Sequence, residues 1–409
     1  MSYVVAQLGA RMHYAVPRIL YAANQLERLF TDLYGNFGWP QWCSALPEPI
    51  QPGDFRRIAG RTAKGVPSDR VTAFNLLGLR YAHRRRRARS RGDFTRAFLW
   101  AGRTLCNKVI THGLGEADGV YVYNTAGLEI LEAASAGKRR AIVEQTIAPL
   151  RFENNLLQEE RKRFPAWQKP MEAGKDFERL CRREESEWRI ADTIICGSDF
   201  VRDSIAASGG PRERCVVVNY GVDQRFRCEP RESRLGPLRV LTVGAVGLRK
   251  GSPYLIDAAR KVGKEAIFRL VGGLECNAEI AGLCPENLEL IGSVPHSEML
   301  QHFAWADAFL LPSLCEGSAT SIYEALSASL PVICTPNCGS IVRDNLDGIL
   351  VPVRSSEAIV EAVLRLAKDA ALRRQMADNA RRQAAVFDFG HYSQSLLTVL
   401  GGTSRGFGT

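Results

Sequence analysis

Between residues 239 and 368, short apolar runs alternate with longer amphipathic ones, and this rhythm limits the fold more than any other feature of the chain. Strands are expected at 239–243, 267–271, 288–291, 308–311, 332–334 and 349–351, with helices at 253–262, 297–305, 319–328 and 356–368. Strands this short and this uniformly apolar, each followed by a helix, are stable as a parallel sheet covered by helices on both faces. Such sheets bind ligands at the carboxyl ends of their strands.

A looser version of the rhythm comes first. Strands are expected at 3–8, 119–123, 141–144, 193–196 and 215–218, with helices at about 14–33, 126–136 and 199–207. Segment 35–70 is rich in Gly, Pro and Trp and reads as irregular. The stretch 154–188 reads as one long charged helix; residues 151–200 hold ten basic and eleven acidic residues, the mixture of a solvated face. Residues 223–237 have no apolar periodicity and read as a linker. The chain is therefore expected to be α/β, with a first Rossmann-like domain at 1–225, a linker at 226–237 and a second Rossmann-like domain at 238–388. A helix and tail at 389–409 can return to the first domain. With two such sheets in one chain, the natural site is the cleft between them.

Composition narrows the function classes. A chain of 409 residues, 45% hydrophobic, buries large cores without staples. Its eleven cysteines include no CxxC pair, and Cys334 and Cys338 have no His partner, so a zinc set is not expected. Scattered thiols fit a reducing compartment. The first residues lack signal-peptide features and no apolar run approaches ~18 residues, so the expectation is a cytoplasmic protein. The charge of +10 is concentrated: residues 51–100 hold 13 Lys/Arg against 3 Asp/Glu. Within that window lies the run Arg80 to Arg91. It reads as a solvated loop or as an attachment to anionic lipid headgroups, with Phe94, Phe98, Leu99 and Trp100 adding apolar contact. Nucleic acid is not expected as a partner, because no aromatic-basic interleaving accompanies the run.

Two motifs carry the chemistry. In Val243-Gly-Ala-Val-Gly-Leu-Arg-Lys-Gly251 a strand enters a loop with Gly244 and Gly247, followed by Arg249 and Lys250 and then a helix. Glycines permit close backbone approach, and adjacent cations can neutralise a diphosphate. Alone, the segment reads more readily as a plain strand-to-helix turn with solvated cations. The second motif, Pro312-Ser-Leu-Cys-Glu316-Gly-Ser-Ala-Thr-Ser-Ile-Tyr-Glu324, places Gly317, Ser318, Ala319 and Thr320 at a helix N-terminus, where free N–H groups and the dipole attract anions. Glu316 and Glu324 lie only ~80° apart around that helix. Carboxylates on both sides of an anion site suit a phosphate that carries hydroxylated groups. As a bland alternative, Glu316 is a cap and Glu324 a solvated residue.

The Glu316-x7-Glu324 pattern, with Leu-Leu-Pro-Ser before it and Ala-Leu-Ser-Ala-Ser-Leu-Pro-Val-Ile after it, resembles the family 4 retaining glycosyltransferases of the GT-B fold. So do Val-Gly-x5-Lys-Gly at 243–251, Ile195-Cys-Gly-Ser-Asp-Phe-Val-Arg, Asn219-Tyr-Gly-Val-Asp223 and Asn345-Leu-Asp-Gly-Ile-Leu-Val-Pro352. The matches run in order from about 190 to 355, whereas residues 1–125 match only in the opening strand and its Gly loop. The resemblance implies two Rossmann-like domains facing across a cleft and retaining transfer of a sugar from a nucleotide diphosphate sugar. The acceptor would be a glycan or a lipid-linked acceptor in cell-surface polysaccharide synthesis, at the inner face of the membrane. It implies that Lys250, helped by Arg249 and the N–H groups of Gly317–Thr320, binds the diphosphate, with Gly244 in the donor loop. Glu324 would hold the ribose, Glu316 the transferred sugar, and Val294 would lie near the base. Gly9 would approach the diphosphate from the first domain, and His13, Glu144 and Gln145 fall on the acceptor side.

Two departures stand out. Many relatives carry Arg where this chain has Ala245, and a His where it has Glu144-Gln145-Thr146. No Asp-x-Asp motif occurs and no other His shows ligand spacing, so no metal and no cofactor is expected. The rival functions are a sugar-nucleotide epimerase of similar architecture and a non-catalytic nucleotide-sugar-binding protein.

Overall fold

The computed structural model describes residues 1–35, 60–168, 174–222, 224–231 and 236–402. The first sheet is built from β1 (Tyr3–Gln7), β2 (Leu26–Thr31), β3 (Val71–Ala73), β4 (Gly119–Tyr123), β5 (Arg140–Gln145), β6 (Thr193–Cys196) and β7 (Cys215–Val217). Their order is β3-β2-β1-β4-β5-β6-β7, with parallel pairing throughout. Around it lie α1 (Ala15–Ala22), α2 (Asn75–Arg87), α3 (Arg91–His112), α4 (Leu128–Ala136), α5 (Leu150–Arg163), α6 (Lys175–Ile190) and α7 (Asp199–Ala207). Every residue of β1 and β4 is buried, because helices cover both faces of the sheet and leave no polar side to alternate with.

The second sheet has β8 (Leu238–Val243), β9 (Ala266–Val271), β10 (Leu288–Gly292), β11 (Ala308–Leu311), β12 (Val332–Cys334) and β13 (Gly348–Leu350), ordered β10-β9-β8-β11-β12-β13 and also parallel. Its helices are α8 (Ser252–Val262), α9 (Met299–Trp305), α10 (Thr320–Ser327), α11 (Ser356–Lys368) and α12 (Ala370–Val386); α13 (Phe389–Gly401) follows. In both sheets the strand order reverses beside the first strand, β1 or β8, so a crevice opens at the carboxyl ends there.

Three expectations are corrected. The helix expected at 14–33 stops at Ala22, Asn24 takes a left-handed φ of 56°, and the chain continues as β2. Leu26, Leu29 and Phe30 have helix-like spacing only because β2 is buried on both faces and shows no alternation. Helix 154–188 is two helices, α5 and α6; Phe164 stands before Pro165, whose ring disfavours a helical residue ahead of it. The irregular segment expected at 35–70 falls largely outside the described residues, but β3 follows it directly. The arginine run ends α2 and turns into α3 through a capping box, in which Ser90 Oγ accepts from Asp93 N and Asp93 Oδ2 accepts from Ser90 N, both at 3.1 Å.

Two further features join the domains. The chain leaves the first domain near Val222 and returns beside the same point, where Val222 N donates to Phe387 O at 2.9 Å. Helix α13 then packs on the first sheet. Tyr392, Leu396 and Leu400 are buried with Tyr3 and Val5, while Tyr3 Oη and Arg140 Nη1 donate to Leu400 O at 2.6 and 2.7 Å. In the other direction, α5 and the turn after it dock on the second domain. Leu157 and Trp167 join its apolar cluster, and Glu160 accepts from Tyr254 Oη at 2.8 Å and Arg354 Nε at 2.5 Å.

Candidate active site

The loop after β8 is shaped by two glycines. Gly244 has φ 146°, and a Cβ there would lie 2.8 Å from Lys250 Cε, so its bare backbone leaves the path of the lysine stem open. Gly251 has φ 69°, and a Cβ would meet Pro312 O at 2.0 Å, which sets the start of α8 against the strand end of β11. The result brings Arg249 and Lys250 to Glu316. Arg249 Nη1 lies 2.7 Å and Lys250 Nζ 2.8 Å from Glu316 Oε1. Burial alone would raise the Glu316 carboxyl, but the two cations outweigh it and hold its pKa below the ordinary value. Arg249 is lowered by burial and raised more by Glu316 and Glu153, with a net rise.

Beyond Glu316 the chain enters α10. Gly317 makes an inter-domain approach: a Cβ there would lie 1.9 Å from Thr146 O, in the first-domain loop after β5. Ser198 Oγ, at the N-cap of α7, donates to Gly317 O at 2.5 Å and ties the two domains at this point. Ser318 Oγ shares a hydrogen bond with Tyr323 Oη at 2.9 Å, and Ala319 N donates to Cys338 O at 3.1 Å. The Ala319 amide is thus already engaged, which leaves Gly317, Ser318 and Thr320 to supply the expected donors. Thr320 is exposed and Glu324 half-buried on α10. Val294 is half-buried just past β10 and Gly292.

From the first domain, Gly9 has φ 77°; its N donates to Asp32 Oδ1 at 2.7 Å and its O accepts from Gln7 Nε2 at 2.8 Å. Met12, His13 and Tyr14 follow with φ of 43°, 51° and 60°, a left-handed run of non-glycine residues of the kind that collects at functional sites. Exposed His13 meets His296 of the second domain, ring centroids 6.3 Å apart.

Glu144 and Gln145 do not reach the cleft, contrary to expectation. Both are buried within the first domain. Glu144 accepts from Tyr121 Oη at 2.5 Å and Tyr220 Oη at 2.8 Å, and burial pushes its carboxyl up despite those bonds. Gln145 donates to Glu184 Oε1 and Ile147 O and accepts from Trp188 Nε1. The sequence reading also passed over Glu153 on α5. Burial raises its carboxyl, Arg249 and Arg91 lower it, and Glu316 and Glu275 raise it, so it stands between the first domain's helices and the Arg249 site.

Two open parallel sheets with their carboxyl ends apposed across a crevice, carrying two cations, a carboxylate and a helix N-terminus, define a GT-B fold. Residues 225–383, which make up nearly all of the second domain, match the family described as Glycosyl transferases group 1. The amylovoran biosynthesis glycosyltransferase AmsK of Erwinia amylovora is 26% identical over 47% of this chain and 50% of its own length. The alpha-D-kanosaminyltransferase of Streptomyces kanamyceticus is 25% identical over 47% and 55%. The chain thus spans about half the length of the curated relatives it matches. Among solved structures, Anabaena HepE in complex with UDP has a TM-score of 0.65 at 16% identity, covering 98% of this chain and 100% of that one. WaaG, a glycosyltransferase involved in lipopolysaccharide biosynthesis, has 0.62 at 15% identity, covering 98% and 100%.

Proposed function

We propose that the protein transfers a sugar from a nucleoside diphosphate sugar to a glycan or lipid-linked acceptor, with retained anomeric configuration and without a metal, in cell-surface polysaccharide or glycolipid synthesis. The observation that carries this reading is the pairing of Lys250 and Arg249 around Glu316 at 2.8 and 2.7 Å, beside the start of α10. A diphosphate takes the place of the carboxylate between the cations. Glu316 then turns to the sugar hydroxyls and Glu324 to the ribose, with Val294 near the base. As the bond from the anomeric carbon to the phosphate oxygen breaks, negative charge grows on the diphosphate. Lys250, Arg249 and the N-terminus of α10 stabilise it. The acceptor oxygen bonds to the anomeric carbon and its proton passes to the departing phosphate oxygen. Names among the relatives, such as amylovoran biosynthesis and the lipopolysaccharide core, support the polysaccharide setting.

A panel of UDP, GDP, ADP and TDP in thermal-shift assays tests this: one of them should raise the melting temperature and Lys250→Ala should reduce the shift. No stabilisation by any of them would sink the reading. Donor turnover should persist in excess EDTA, since the counter-charge comes from side chains and a helix end; loss restored by Mg²⁺ would refute the metal-free assignment.

A second reading concerns attachment. Arg84 to Arg87 end α2, with exposed Leu76, Leu79 and Phe94 on the same α2–α3 hairpin, a combination suited to anionic lipid headgroups. No described helix is long and apolar enough to cross a membrane.

A further inference from the structure

Arg161 on α5 is 8% exposed, and neither its Nε nor its Nη1 has a hydrogen-bond partner among the described residues. Arg183, 6% exposed, shows how this fold normally treats a buried guanidinium: it donates to Thr125 O at 2.8 Å and to Glu129 Oε1 at 2.7 Å. A buried donor left without an acceptor costs about 1–3 kcal/mol and calls for an explanation. Two turns earlier on the same face stands Asn154, 5% exposed, whose Oδ1 is also without a donor. Orphaned donors and an orphaned acceptor thus share one stripe of one helix.

The stripe has a definite outlook. Leu157, between the two, packs in the cluster of Val246, Leu248 and Leu314, the residues that carry the Arg249–Lys250 loop. Beyond Arg163, Gln168 Nε2 donates to Glu275 O at 2.6 Å and holds the turn against the same side of the second domain. Glu153 lies within electrostatic reach of Arg249 and Glu316 on one side and Arg91 on the other, and Arg161 interacts with both Glu153 and Arg91. Charged groups therefore run from Arg249 past Glu153 and Arg161 to Arg91, the first residue of α3.

We propose that Arg161 and Asn154 hold an oxyanion with a neighbouring hydroxyl, so that the acceptor glycan carries a phosphate or carboxylate group close to the hydroxyl that is glycosylated. Arg161 donates to the anion and Asn154 Oδ1 accepts from the hydroxyl. This rests on the glycosyltransferase reading and names its acceptor class.

The test is calorimetric titration of the full chain with glucuronate, glucose 6-phosphate and neutral glucose, at saturating nucleoside diphosphate so that Lys250 is occupied. At least one anionic sugar should bind, glucose at least tenfold more weakly, and Arg161→Met should reduce the anionic affinity at least tenfold. Which anion binds better distinguishes carboxylate from phosphate. Equal affinity for glucose, or unchanged affinity in Arg161→Met, overturns the proposal. Should that variant fail to fold, Asn154→Asp places a carboxylate on the same stripe and should suppress anion binding by a similar factor; unaltered binding again overturns it. Nucleoside diphosphate binding is read first in each variant. Its absence in the parent counts against the donor site, while its retention without anionic sugar binding counts against this inference alone.

Discussion

Glu316 has two cations on one carboxylate oxygen, and this geometry makes its substitutions informative. Lys250→Ala removes a charge-assisted contact of about 1.5–3 kcal/mol, which corresponds to a roughly 10–100-fold weaker nucleoside diphosphate Kd by calorimetry. Glu316→Gln removes the charge that competes with the diphosphate. Diphosphate binding should hold or tighten while turnover falls by about 10²–10³; weakened binding with normal turnover would contradict the assignment. Because the folded-state pKa of Glu316 is lowered, the stability it supplies is present above its ordinary value. It is lost as pH falls through the lower folded value. Lys250 and Glu316 were legible because small residues and charges around strand ends have few other uses. Glu144 and Gln145 were not. As neighbours on β5 they point to opposite faces, one to Tyr121 and Tyr220, the other to Trp188 and Glu184, and both faces are covered.

Among elements, α5 departs furthest from its sequence appearance. Its charges read as solvated, yet Glu160 is wholly buried between the domains, joined to Tyr254 and Arg354. Glu160→Gln should cost about 1–3 kcal/mol, read as a lower urea midpoint, because the amide offers one acceptor oxygen where Tyr254 and Arg354 use two and carries no charge to pair with Arg354. An unchanged midpoint would mean that the docking of α5 contributes nothing. The strands of the second sheet were legible almost to the residue, since short apolar runs between glycines and prolines have no competing period. The α2–α3 hairpin was legible only as charge. There Arg84 stacks on Trp100 at 4.1 Å and Arg85 on Tyr81 at 5.7 Å, so part of the run has an intramolecular role. With Arg84 to Arg87 changed to Ser, co-sedimentation with anionic vesicles should fall and that with neutral vesicles should not. Binding by the parent should also weaken as the Debye length shrinks from ~10 Å at 0.1 M salt to ~3 Å at 1 M. Equal sedimentation of parent and variant would leave the hairpin without a lipid role.

For the whole molecule, the tightest glycine approach between the two domains among the described residues is that of Gly317 to Thr146 O, where no methyl group fits. Gly317→Ala should push the domains apart. The radius of gyration by small-angle scattering should rise and turnover should fall, while nucleoside diphosphate binding to the second domain persists. A variant with parental scattering and full turnover would show that the approach is dispensable. The sequence could not reveal this contact, because it joins residues far apart in the chain.

The adjacent crossings at Val222 and Phe387 have a wider meaning. Everything between them enters and leaves through a single doorway, so the second domain is topologically an insert whose two ends meet. Such a module can be exchanged between chains by recombination at just two neighbouring seams, without rethreading the sheet that receives it. Helix α13, on the far side of the doorway, stays with the first domain in any such exchange. Lineages built this way are free to vary what each half recognises at its own pace, with the Gly317 contact as the shared gauge that both halves must keep fitting.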